Sequence, residues 1–259
     1  MEFKFITFKK IRVFYTDELD GGGTTFGQDY LSFIKRLSKK KFNRIYEWCA
    51  GPGFIGFSLL ANGYCESLCL SDIHPKAIQA IKKTIKYNKL ENKVSVYNSD
   101  SLDDIPEKEK WDLVVGNPPH YKKKPTSYTS KGVAANGLTE DQMRIVLDLN
   151  LETHKKFFKK VRNYLNKDGI VLLQENWFRV ALDEFKEMIE ENNFDFKFSS
   201  PFSDKFFYLC FAEKSTKINL ISPPKWTIKY RPEDRYMNIK NIIFRGDIFK
   251  KIFKKLTNN

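Results

Sequence analysis

The chain has 259 residues, which allows one large domain or two small ones and is enough to bury a core. Hydrophobic residues make up 41%, aromatics 15% and charged residues 30%, a composition that excludes intrinsic disorder and fibrous repeats. No stretch nears the ~18–20 apolar residues of a membrane span, residues 1–12 alternate Phe with Lys where a signal peptide needs an apolar core, and the expected location is the cytoplasm. The net charge of +13 fits a polyanionic partner, although a lysine-rich genome would produce the same excess. Cys49, Cys65, Cys69 and Cys210 form no Cys-x-x-Cys pair and read as reduced core thiols, with no metal site and no disulfide framework.

Residues 2–15 alternate apolar with basic side chains at a period of two, the pattern of a strand or hairpin arm. Asp20–Thr25 carries three glycines and reads as a loop. Tyr30, Leu31, Phe33, Ile34 and Leu37 recur at helical spacing, predicting a helix over 28–40 capped near Thr25 or Asp29. Short apolar runs then alternate with helical patterns, as in stacked strand-helix-strand units. Strands are expected at 44–49, 67–72, 94–97, 111–116 and 169–174, and helices at 54–62, 75–88, 139–165 and 178–192. Two last strands at 194–199 and 206–212, joined by the turn chemistry of Pro201-Phe-Ser-Asp, predict an edge hairpin. The expected fold is therefore α/β: a Rossmann-like, mostly parallel seven-stranded sheet with an antiparallel edge hairpin and helices on both faces. Domain boundaries fall at 1–42 for an N-terminal extension, 43–213 for the catalytic unit and 214–259 for a basic C-terminal extension. That last segment holds twelve Lys or Arg against three acids.

The first sheet strand runs into Cys49-Ala-Gly51-Pro-Gly53, directly ahead of a helix. Glycines at such a turn let a ligand approach the backbone, and the helix start offers unpaired N–H groups, although a tight structural turn uses the same residues. The next strand ends at Asp72, where nucleotide-type folds place an acid that accepts the ribose hydroxyls. The run Gly51-x-Gly53-x-x-Gly56 matches a dinucleotide motif literally and does not by itself exclude NAD. Glu47, four positions before Gly51, suits the ammonium of an amino acid moiety and disfavours a pyrophosphate, so S-adenosyl-L-methionine is the expected cofactor. Asp100, after the third sheet strand, is placed to take an adenine amino group.

The fourth sheet strand ends in Asn117-Pro118-Pro119-His120-Tyr121. Two prolines donate no ladder hydrogen bonds, so the strand stops and its carbonyls are held rigidly at the carboxyl end of the sheet. An ordinary turn is the plain reading. The chemical one is that an amino group conjugated to a ring or carbonyl is a poor nucleophile. If the Asn117 oxygen and the Pro118 carbonyl accept its two hydrogens, its lone pair localises toward an electrophilic methyl. Positive charge growing on nitrogen is then stabilised more in the transition state than before it.

Taken together, these residues resemble the class I S-adenosylmethionine-dependent methyltransferases, in the amino-methylating branch with Asn-Pro-Pro-aromatic. That branch includes release-factor glutamine, ribosomal RNA guanine-N2 and adenine-N6 methyltransferases. The resemblance runs from about Arg44 to Tyr121 and implies that Glu47, Gly51, Gly53, Asp72 and Asp100 bind cofactor, while Asn117 with Pro118 holds the target nitrogen. Cys49 departs from the family's first glycine. His120 takes the usual aromatic position, so either His120 stacks on the acceptor or Tyr121 does, and His120 is also a candidate to collect the departing proton. His74 and His154 read as surface or helix-face residues. Phe26-Gly-Gln28 stands where relatives fold a segment over the cofactor.

After Tyr121 a long irregular insertion begins with Lys122, Lys123 and Lys124, the composition of a substrate lid that contacts phosphates and bases. With the basic extension, this favours methylation of an amino group on a nucleic-acid base, RNA ahead of DNA. The alternatives are a protein glutamine amide, a small-molecule amine, and a catalytically silent nucleic-acid-binding subunit. No membrane or metal partner is expected.

Overall fold

The computed structural model describes residues 2–19, 23–37, 41–123, 143, 145–176, 179–201 and 206–218. The period-two pattern at the start becomes a two-stranded antiparallel sheet, β1 (Lys4–Phe8) and β2 (Ile11–Tyr15). Helix α1 spans Gly23–Ile34, so the glycine stretch expected to be a loop is already helical from Gly23, and Thr25 and Asp29 lie inside the helix. Close packing explains the difference. A Cβ at Gly27 would stand 2.7 Å from the Phe54 carbonyl oxygen, and Ser58 Oγ donates to Gly27 O at 3.1 Å, so a small residue lets α1 lie directly on the next helix. Phe26-Gly-Gln28 is therefore part of a helix.

The alternating units follow in the expected order: β3 (Phe42–Trp48), α2 (Phe54–Ala61), β4 (Cys65–Asp72), α3 (Pro75–Asn88), β5 (Val94–Asn98) and β6 (Trp111–Gly116). Next come α4 (Glu152–Val161), β7 (Leu165–Asn176), α5 (Leu182–Glu191), β8 (Asp195–Pro201) and β9 (Phe206–Ala212). The helix expected over 139–165 is broken: Met143, Ile145 and Val146 are helical, Leu147 leaves the helix to bridge to Tyr121, and α4 begins at Glu152. Asn150 and Leu151 have positive φ, and the Asp148 carboxylate accepts the N–H groups of Thr153 at 2.8 Å and His154 at 3.2 Å, which starts the helix there. Residues 139–142 and 144 lie outside the described residues, as does the 202–205 turn.

Seven strands form one sheet in the order β5-β4-β3-β6-β7-β9-β8. β3 to β7 pair in parallel, and β9 runs antiparallel between β7 and β8. The expected seven-stranded architecture with its antiparallel edge is thus present. Both faces are covered, which is why β6 and the Ile170–Leu173 stretch of β7 read as near-continuous apolar runs. On one side Tyr30, Phe33, Phe54, Phe57, Ile81 and Ile85 pack on Ile45, Leu113 and Leu172. On the other, Phe157, Phe158, Phe185 and Ile189 pack on Trp48, Val114 and Leu173. The hairpin of 2–15 belongs to the first layer. Phe14 N donates to Thr84 Oγ1, and Arg12 exchanges backbone bonds with Asn88. Strand order reverses between β3 and β6, so their carboxyl ends splay and open a crevice of the kind that binds ligands in open α/β sheets.

Candidate active site

The turn from β3 to α2 is built on alternating left-handed residues: Cys49 at φ 50, Gly51 at φ 51 and Gly53 at φ 84. That explains why glycine suits the first of these positions and makes Cys49 a strained exception. Glu47, only 2% exposed, turns both oxygens onto the start of α2, accepting the N–H of Gly56 at 2.7 Å and of Ile55 at 3.3 Å. Burial pushes its carboxyl up to about 8, against the pull of those N–H groups. A Cβ at Gly56 would collide with the same carboxyl at 2.7 Å. Glu47 therefore holds the turn from behind. It does not line the crevice, and neither does Gly53.

The crevice itself is a cavity of about 850 Å³, within the ordinary range for small-molecule sites. Gly51, Asp72, Asp100 and Asn117, four of the residues expected from sequence, line it together. Asp72 accepts the N–H of Gly51 at 2.7 Å and of His74 at 2.8 Å, and burial holds its carboxyl above the ordinary value despite those donors. Of the other lining acids, Asp17 pairs with Lys4, Glu18 with Lys76, and Asp100 with Lys156 at 2.6 Å. Asp72 alone among these four is held only by N–H groups, so its carboxylate keeps acceptor capacity toward the cavity. Trp48 and Ser101 also line the cavity, with Trp48 Nε1 and Ser101 Oγ themselves buried and without a hydrogen-bond partner. Backbone open at Gly51, where an added Cβ would meet nothing within 4 Å, and the Asp72 carboxylate, paired with no lysine, fit a cationic adenosyl ligand. The same surroundings disfavour a pyrophosphate.

Asn117 stands at the end of β6. Tyr30 fixes the strand ends just before it, its hydroxyl lying 2.6 Å from Gly116 O and 3.0 Å from Leu172 O. Pro119 lines the cavity beside Asn117, whereas Pro118 is buried and does not. His120 points inward, 8% exposed, with Nε2 3.0 Å from Asn117 Oδ1 and Nδ1 3.3 Å from Glu175 Oε2. Tyr121 is covered by Arg179, whose guanidinium carbon sits 4.0 Å from the ring centroid and whose Nη2 donates to the phenol oxygen at 3.0 Å. Neither aromatic lines the cavity. In their place Ile145 and Leu147 do, carried there by the segment that bridges to Tyr121.

Other expectations are corrected. His154 is fully buried, and His74 caps α3 through Nδ1 while lining the cavity, so neither is a plain surface residue. Cys49 is partly exposed and lines the cavity, while Cys65, Cys69 and Cys210 are buried free thiols as expected. Lys122 spends its charge on Glu184 at 2.6 Å. Lys123 is exposed, and Lys124 lies outside the described residues, as does the basic extension from 219 onward. Among the described residues, no helix is long and apolar enough to cross a membrane.

Residues 4–174 match the family described as the methyltransferase small domain. The chain is 27% identical over 154 residues to a release factor glutamine methyltransferase of Borreliella burgdorferi, covering 58% of this chain and 51% of that protein. It is 34% identical over 116 residues to a ribosomal RNA small subunit methyltransferase C of Actinobacillus pleuropneumoniae, covering 45% and 32%. The chain thus spans about half the length of these curated relatives, or less. Among solved structures, the T. thermophilus 16S rRNA N2 G1207 methyltransferase, in complex with AdoMet and guanosine, has the same fold. Its TM-score is 0.53 at 16% identity, over 82% of this chain and 50% of that one. A Pyrococcus furiosus methyltransferase gives a TM-score of 0.51 at 14% identity, over 71% of this chain and 81% of that one. With two thirds of its length in the family match, the chain belongs to the methyltransferase small domain family and carries a Rossmann-like, S-adenosylmethionine-dependent methyltransferase domain.

Proposed function

We propose that the protein methylates an amino nitrogen of a nucleic-acid base, with RNA the preferred acceptor. The observation that carries this reading is that Gly51, Asp72, Asp100 and Asn117 border one continuous cavity. Backbone and acids suited to an adenosyl cofactor therefore face a carboxamide suited to an amine.

The bound cofactor supplies an electrophilic methyl carbon on a sulfonium centre. Asp72 would accept the ribose hydroxyls, Asp100 would serve the adenine side, and Gly51 would let the methionine portion approach the backbone. Glu47 and Gly53 keep the turn in register from behind. Asn117 Oδ1 accepts a hydrogen of the acceptor amine, so the lone pair is directed at the methyl group and the growing charge on nitrogen meets a fixed dipole; Pro118, outside the cavity lining, holds the turn that presents Asn117. Orientation at near-contact distance supplies much of the remaining acceleration. The flat acceptor lies against Pro119, Ile145 and Leu147.

The RNA preference rests on the ribosomal RNA methyltransferase among the relatives and on the charge of the chain, +13 overall with its excess concentrated after residue 213. A glutamine amide has the same donor pattern as a base amino group, and the release factor methyltransferase among the relatives keeps that reading as the competitor. Incubation with tritium-methyl cofactor and separate pools of RNA, DNA, protein and small metabolites decides between them. Label in RNA, with incorporation falling steeply as salt rises, is the expected result. Label confined to protein or metabolites overturns it. Calorimetric binding of cofactor alone separates all of these from a silent scaffold.

A further inference from the structure

Behind Asn117 runs a line of buried side chains drawn from three further parts of the chain. His120 lies between Asn117 and Glu175, at 3.0 and 3.3 Å. Glu175, at the end of β7, reaches His154 Nε2 at 3.2 Å with its other oxygen, and His154 Nδ1 meets Asp148 Oδ2 at 2.5 Å. Glu175 and His154 are fully buried and Asp148 is 2% exposed. Trp48, Phe158 and Phe185 wall the His154 ring, and Phe206 lies 6.0 Å from the His120 ring. The nearby titratable groups from other elements, the Tyr30 phenol and the Cys49 thiol, are pushed up by burial and stay neutral.

Both His154 nitrogens face oxygens of carboxylates that only accept when ionised, so both carry an N–H, and His120 Nε2, 3.0 Å from Asn117 Oδ1, likewise donates. The charge of His154 lies between those of Glu175 and Asp148. An imidazole N–H can bond only the oxygen end of a carboxamide, so the amide of Asn117 is prevented from turning over, and its oxygen keeps one lone pair for the acceptor. A buried ionic cluster is a poor source of stability, because desolvation offsets the attraction between its members. Its use here is orientation.

We propose that Glu175, braced by His154 and Asp148, is a positioning residue that acts through His120 to fix the orientation of the Asn117 carboxamide. The proposal rests on the role assigned to Asn117 above. It makes the pH profile of the site a property of the cluster.

The chain holds three histidines, so nitrogen-15 histidine labelling of the full chain gives three imidazole patterns, assigned by substituting each in turn. At neutral pH, His154 is expected to show both nitrogens protonated, and His120 to carry a proton on Nε2, the nitrogen that faces Asn117. Glu175→Gln should remove one ring proton from the His120–His154 pair and leave His74 unchanged. With the labelled pool as acceptor, Glu175→Gln should lower kcat about 10- to 100-fold, leave the cofactor Kd within about twofold, and move the pH profile of kcat. His120→Gln keeps an N–H for Asn117, so it should retain more turnover than His120→Leu. A native His120 whose Nε2 carries no proton, or a Glu175→Gln variant that loses thermal stability while its ring pattern and pH profile stay put, overturns the proposal. Asn117→Ala with full turnover instead overturns the functional reading, whatever the imidazole spectra show.

Discussion

The two walls of the cavity are held by different forces. On the cofactor side, geometry comes from consecutive backbone dihedrals between Glu47 and Gly56, with Asp72 clasping the Gly51 N–H at 2.7 Å. On the acceptor side it comes from side chains at 117, 120, 148, 154 and 175, linked through buried ionic hydrogen bonds. A dihedral constraint is insensitive to pH and salt, whereas an ionic one exists only while its protons are in place. Apart from the Glu47 carboxyl behind the turn, pushed up to about 8, the cofactor wall should therefore respond less to pH than the acceptor wall.

The sharpest way to separate the walls is Asn117→Ala. Loss of one preorganised acceptor in the transition state costs about 10²- to 10³-fold in turnover, while cofactor affinity stays near native because Asn117 does not hold the Gly51–Asp72 grip. Single-turnover methyl transfer beside calorimetric cofactor titration reads both. A parallel loss in both quantities would mean that the walls are one unit.

Second in size is the response of stability to pH. Burial alone would lower His154, but Glu175 and Asp148 raise it from 6.5 to about 9. Its stabilising contribution is thus complete below about 6.5 and is lost as pH rises through about 9, on the order of 3 kcal/mol in all. Burial would raise Glu175 and Asp148, but their imidazole partners hold both below the ordinary carboxylate range. Their contribution is present at neutral pH and is lost as pH falls through those lowered values. Glu47, raised from 4.5 to about 8, adds a decline of its own over that interval, because the fold prefers its neutral form. Urea midpoints across pH should show both declines, with Glu47→Gln removing the one between 4.5 and about 8 and His154→Gln the one between 6.5 and about 9. A wild-type midpoint that is flat from neutral pH to about 10 would show that the cluster carries no such charge.

Asp72→Ala comes third. It removes the carboxylate that accepts from Gly51 and His74 and faces the cavity, and cofactor binding should weaken by about 1–3 kcal/mol through lost charged hydrogen bonds. Turnover at saturating cofactor should change far less, the reverse of the Asn117 variant.

The same contrast decides what could be read from sequence. The seven strands, the glycine turn, Asp72, Asp100 and the stop at Asn117 were legible because each is written in local pattern: apolar runs, glycine spacing, paired prolines. The start of α1 was not, because Gly23 reads as a loop-former yet is helical; close packing on Phe54 and Ser58 belongs to Gly27, four residues on. Glu175 and His154 carry no local signal at all. They lie in an apolar strand and an ordinary amphipathic helix, and only the fold brings them within 3.2 Å of each other. Their one trace in the sequence is a charged residue at the end of the otherwise apolar run Ile170–Leu173. Glu47 was singled out by its place four positions before Gly51, and its partners prove to be backbone N–H groups.

The smallest expected effect tests the cofactor wall itself. Cys49 occupies φ 50, where an L side chain costs about 1–2 kcal/mol, while glycine in its place would cost about 0.5–1 kcal/mol of chain entropy and the packing of a partly exposed thiol. Cys49→Gly should therefore leave stability unchanged or raise it by less than about 1 kcal/mol, read as a shift of urea midpoint at constant slope. Gly53→Ala at φ 84 must lose stability, because the new Cβ would lie 2.8 Å from the Phe57 ring in a conformation that glycine alone adopts without strain. If Cys49→Gly proved as damaging as Gly53→Ala, the thiol would be a packing element of the turn, and backbone dihedrals alone would not account for that wall.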